Sequence, residues 1–110
     1  MNRDFSLKRK KEFNYVYRNG KSYGSKLLVV VYFKTNRDLK IGFSVSKKVG
    51  NAVVRNKVKR RLKEIVSLEI PNIKKDYSII FIARPQIVEA SFEEIKSLSD
   101  YLLRKTNLTL

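Results

Sequence analysis

The chain contains no cysteine and no histidine. Those absences remove disulfides, zinc–thiolate sites, imidazole acid–base chemistry and nucleophiles built on Cys or on a Ser–His pair. Acids are scarce as well: 10 Asp and Glu stand against 25 Lys and Arg, leaving +15 on 110 residues. A two-metal nuclease needs clustered carboxylates, yet residues 1–63 offer only Asp4, Glu12 and Asp38, spread over separate segments. The longest unbroken apolar run, residues 27–33, is far too short to span a membrane, and no amphipathic helix stands apart from the core pattern. The N-terminal MNRDFSLKRKKEF is basic without the apolar stretch of a secretory signal. These readings predict no catalytic residues on the protein and no membrane partner, and they make the cytoplasm the expected compartment. No metal site is legible.

What the chain does have is enough apolar residues, 43%, to build a core in one domain spanning 1–110. Its charge is lopsided. Residues 1–63 hold 19 basic and 3 acidic side chains, whereas residues 64–110 hold 6 and 7. Repulsion of that size costs stability, so a densely anionic partner is expected, nucleic acid first.

Residues 10–19 read as a short helix closed by Gly20 in the left-handed position that follows many helix ends, with Phe13, Val16 and Tyr17 on one face. Residues 27–33 (LLVVVYF) and 41–46 (IGFSVS) read as strands, joined as a hairpin through a turn at 35–38 (TNRD). Asn51 can cap a long helix in which Val54, Val58, Leu62, Ile65 and Val66 step by three and four until Pro71. About 20 residues would make a rod near 30 Å. Residues 77–83 (YSIIFIA) are apolar on both faces and predict an inner strand covered on two sides, stopped by Arg84-Pro85. A last helix starts at Ser91, which with Glu94 forms a capping box, and buries Phe92, Ile95, Leu98, Leu102 and Leu103. The predicted fold is a single-domain α+β sandwich with element order α-β-β-α-β-α.

Segment 47–63, KKVGNAVVRNKVKRRLK, holds eight basic residues and no acid. On a helical wheel Val54, Val58, Leu62 and Ile65 share one sector, and Arg55, Asn56, Lys59, Arg60 and Lys63 run through the other. Arg offers planar bidentate donors to phosphate, Lys a mobile point charge, and Asn56 a donor–acceptor pair able to read a base or a 2′-hydroxyl. Lys47, Lys48 and Asn51 approach the same helix N-terminus, where backbone N–H groups and the dipole favour anions. Charged helix faces are usually only solvated, but an ordinary solvated face mixes signs and this one does not.

Residues 44–60, SVSKKVGNAVVRNKVKR, resemble the signature of the bacterial ribonuclease P protein subunit, including its RNR-type helix around Arg55 and Asn56. The resemblance extends to Tyr17-Arg18-Asn19-Gly20-Lys21-Ser22 and to the late strand that opens at Asp76-Tyr77 and ends at Ala83-Arg84. It implies a ribosomal-protein-like sandwich with a mixed sheet and a left-handed βαβ crossover, where the generic expectation is right-handed. It also implies a noncatalytic protein subunit of an RNA endonuclease that removes the 5′ leader of precursor tRNA. The chemistry and its Mg2+ ions would then belong to the RNA, and the protein itself would need no cofactor. The catalytic RNA would lie near Lys47, Lys48, Asn51, Arg55, Asn56, Lys59, Arg60 and Lys63, sites that sulfate or phosphate could also occupy. The leader would lie in a cleft between the first helix and the sheet, with Phe13, Tyr17 and Tyr32 as the aromatic residues.

Phe13 and Tyr17 are one helical turn apart and could stack splayed bases at about 1–3 kcal/mol each. Taken alone, such a pair is more often core than platform. Two positions depart from the family pattern. Val31 stands where the family commonly has an aromatic residue, with Tyr32 adjacent on the opposite strand face. Arg61 replaces a frequently apolar residue and is expected at the stripe's edge with its guanidinium turned outward. Two other classes share parts of this reading: a ribosomal-type structural RNA-binding protein, and a sequence-specific DNA-binding protein. The second lacks the paired helices of a helix-turn-helix and the heptads of a zipper.

Overall fold

Three helices sandwich a four-stranded sheet in the computed structural model, which describes residue 1 and residues 3–110, without the side chain of Arg3. The elements are α1 (Lys10–Asn19), β1 (Lys21–Gly24), β2 (Leu28–Lys34), β3 (Lys40–Ser44), α2 (Ala52–Glu69), β4 (Tyr77–Ala83) and α3 (Phe92–Lys105), with short 3-10 turns between some of them. The strand order is β1-β2-β4-β3. Strands β1–β2 and β2–β4 pair antiparallel, and β3–β4 pair parallel through the crossover helix α2. The mixed sheet and α+β class agree with the expectation.

The strand connections do not. Strands β2 and β3 form no hairpin, because β4 lies between them, with Val31 opposite Ile80 on one side and Gly42 opposite Ile80 on the other. A strand apolar on both faces gains most where both faces are covered and both edges are paired. The loop after β2 therefore spans the entrance of β4, where the Thr35 N–H donates to the Asp76 carbonyl at 2.9 Å. The hairpin actually present joins β2 to β1, a strand without an apolar run. Its turn is closed by Ser25, whose N–H donates to the Leu28 carbonyl at 2.8 Å. The observed order is thus α-β-β-β-α-β-α.

Alternation along the strands splits the core in two. Leu28, Val30, Ile41, Phe43, Ile79 and Phe81 face α2 and α3, where Val58, Leu62, Ile65, Val66, Ile95, Leu102 and Leu103 meet them. Val31 and Ile80 face α1 and pack with Val16 and Leu7. The capping signals are realised. Asn51 Oδ1 accepts from the Val54 N–H at 3.0 Å, and Ser91 Oγ from the Glu94 N–H at 3.1 Å. Helix α3 closes with Asn107 at φ 60°, its N–H donating to the Arg104 carbonyl and the Leu108 N–H to that of Leu103, while Leu108 itself is buried.

Gly20 has a different reason from the one expected. Its φ of −83° is extended backbone, not left-handed. What requires glycine is crowding, since a Cβ there would lie 2.6 Å from the Val16 carbonyl oxygen and 2.8 Å from that of Tyr32.

Candidate nucleic-acid interface

The basic ridge is built by the burial of its opposite face. Val58, Leu62, Ile65 and Val66 turn α2 into the main core, which leaves Asn56, Lys57, Lys59, Arg60 and Lys63 exposed. None of them is in a salt bridge: among the described residues the ion pairs are Lys34–Asp76 and Arg104–Asp100, both on other elements. Lys57, which the wheel sets off the ridge, is exposed with the others. Lys47 and Lys48 are exposed on the approach, where Val49 is buried as an anchor and the Lys48 N–H donates to Ser46 Oγ at 3.3 Å. Asn51 is exposed; one lone pair of its side-chain oxygen serves the helix cap, which leaves the second lone pair and the amide N–H groups for a ligand.

Arg55 stands apart from the ridge that the wheel assigned it to. It is half-buried, and its Nε donates to the Gly50 carbonyl at 3.2 Å, folding the side chain back over the loop entering the helix. Gly50 has room for no side chain: a Cβ would lie 2.8 Å from Val54 Cγ1. Arg61 sits at the stripe's edge as expected, half-buried, with its Nη1 donating to the Ala90 carbonyl at 3.5 Å.

The second surface lies where α1 crosses the sheet. Only part of that sheet face is covered, and Val29 and Ile82 remain half-buried beside the Val31–Ile80 contact. Phe13 and Tyr17 stand on α1 with ring centroids 6.3 Å apart and planes at 47°. They are not equivalent. Phe13 is half-buried over Gly42, and Tyr17 is 41% exposed.

Tyr32 does not join them. It is opposite Lys21 and Ile79 in register and packs on the α2–α3 side of the sheet. An odd–even step along β2 sends Val31 to the cleft and Tyr32 away from it, so the expected third aromatic is replaced by an aliphatic floor. Sequence reasoning also missed Gly42, whose missing side chain makes room for Phe13. Small residues facing a predicted aromatic were the available signal, but only once Phe13 was known to reach β3.

A one-sign ridge on a crossover helix and a half-open aromatic cleft on the opposite face of one sheet define a small RNA-binding α+β protein. The ribonuclease P family model matches residues 1–107. The chain belongs to the ribonuclease P protein family. It is 45% identical over 103 residues to the ribonuclease P protein component of Alkaliphilus metalliredigens, covering 93% of each chain. To that of Clostridium novyi it is 40% identical over 111 residues, covering 98% of each. Among solved structures it resembles the RNase P protein of Staphylococcus aureus, with TM-score 0.87 and 29% identity over 96% of this chain and 98% of that one. It also resembles the RNase P protein of Thermotoga maritima, with TM-score 0.83 and 28% identity over 91% and 96%.

Proposed function

We propose that the chain works as the RNA-binding subunit of ribonuclease P through two surfaces, the α2 ridge holding the RNA subunit and the α1 cleft holding the 5′ leader of precursor tRNA. As a ribonuclease P protein component it assists the RNA subunit in endonucleolytic removal of that leader and carries no part of the bond cleavage. The observation that carries the reading is the ridge itself: exposed cations on a packed helix, in no salt bridge among the described residues, are poised to replace the counterions of a phosphate backbone.

The division of labour follows from the side chains. Lys59, Arg60 and Lys63 neutralise phosphates, and Asn56 can reach a base edge or a 2′-hydroxyl. Tyr17 offers an exposed ring to a splayed base, with Phe13 and Val29 as apolar support. Lowering the repulsion between two RNAs strengthens substrate binding and reduces the Mg2+ needed to hold the complex. Those ions would be held by the RNA.

A gel-shift with precursor and mature tRNA, each with and without a bacterial ribonuclease P RNA, tests the reading. Tighter binding of precursor in the presence of the RNA subunit is expected. Equal binding of precursor and mature tRNA would remove the leader from the α1 cleft.

A further inference from the structure

The flank of α1 away from Phe13 and Tyr17 borders a second concavity, an open groove of about 950 Å³ between that helix, the loop after β2 and the starts of β3 and β4. Its aromatic wall is Tyr15, which is 57% exposed and stands edge-to-face with Phe33, ring centroids 5.3 Å apart. Arg9, Lys11, Arg37 and Lys40 line it. Of the two acids there, Glu12 is turned to the helix end, where its Oε1 accepts from the Arg9 N–H at 3.2 Å, leaving Asp38. Lys40 donates to the backbone carbonyl of Asp4.

The outer crest of α1 connects the two flanks. Lys10, Asn14 and Arg18 are exposed there and no acid lies among them, so the helix presents Tyr17 on one side, cations on top and Tyr15 on the other. Packing alone explains Val16 beneath the helix but not two exposed tyrosines flanking a basic crest. We propose that α1 is a post around which the leader wraps, and that the Tyr15 groove is a subsite for unpaired nucleotides farther from the cleavage site than those in the cleft. A base would lie against the open part of Tyr15, with phosphates near Arg9, Lys11 and Arg37, the sequence-tolerant pairing of stacking and charge found for single strands. This inference rests on the leader reading of the cleft.

Leader length tests it. Enzyme reconstituted from the RNA subunit and Tyr15→Ala protein is compared with wild type on mature tRNA and on precursors with leaders of about 5 and about 12 nucleotides, lengths within the range single-strand sites accommodate. Binding of the long-leader precursor should fall roughly five-fold or more, with the short-leader precursor and mature tRNA unchanged. Tyr15→Leu, which keeps an apolar contact on Phe33, should reproduce the loss without a change in melting temperature. Equal loss on all three RNAs, or a loss in assembly with the RNA subunit alone, would overturn the leader subsite in favour of a contact to the RNA subunit. No loss on any RNA would overturn it outright. Tyr17→Ala measured in parallel separates the two ideas: if it weakens precursor binding while Tyr15→Ala does not, the cleft stands and the groove falls.

Discussion

Phe13 lies so close over Gly42 that a methyl group on Gly42 would sit 2.5 Å from Phe13 Cζ and 2.7 Å from Cε1. The helix that carries the cleft is seated on the sheet through this contact. Gly42→Ala should therefore lift or turn the Phe13 ring and destabilise the fold by about 1–3 kcal/mol, the usual cost of an overpacked site. Combined with Phe13→Ala, most of that cost should disappear, and thermal melts of the two single mutants and the double mutant measure the coupling.

Tyr17 and Phe13 should separate in their effects. Tyr17→Ala removes a ring 41% exposed, so the melting temperature should hardly move while precursor binding weakens by about 1–3 kcal/mol. Mature tRNA should bind as before. Phe13→Ala should instead lower stability, toward the lower end of the about 3–5 kcal/mol seen for buried phenylalanines. A large stability loss from Tyr17→Ala without selectivity for precursor would assign this ring to the core.

The ridge makes a salt-dependent prediction. Replacing Lys59, Arg60 and Lys63 by alanine should preserve the fold, since all three are exposed. The slope of log affinity for the RNA subunit against log salt should flatten by close to one unit for each phosphate that is no longer neutralised. Arg55→Ala should behave differently and also lower the melting temperature, because its Nε bond to the Gly50 carbonyl holds the loop entering α2.

An anion that binds the native ridge better than the unfolded chain would raise stability by mass action. Millimolar sulfate or pyrophosphate should raise the melting temperature more than chloride at equal ionic strength. Equal shifts would mean screening alone.

Ser99 is fully buried on α3, and its hydroxyl has no hydrogen-bond partner among the described residues. Ser99→Ala should therefore stabilise the protein by about 1 kcal/mol, read in a denaturant titration as a higher midpoint at unchanged slope. A lower midpoint would show that the hydroxyl is satisfied in solution.

Helices, caps and the charge of the ridge were legible in the residues alone because their causes are local. Asn51 and Ser91 cap through bonds to the third residue onward, and α2 takes its orientation from valines and leucines three and four apart. The partly buried Arg55 was not legible, and of Arg61 only its place at the stripe's edge was, since a wheel carries no information about the Gly50 and Ala90 carbonyls that hold them.

Strand neighbours lay beyond local pattern in the same way. TNRD has the composition of a hairpin turn, but the doubly apolar β4 took the place between β2 and β3, and β1, with one aromatic in four residues, was recruited to the free edge of β2. The cleft inherited that decision. Period-two alternation establishes that Val31 and Tyr32 face opposite ways, but only the placement of α1 on one side of the sheet decides which of them meets Phe13, because burial is shared among elements distant in sequence and no single segment encodes which face another will cover.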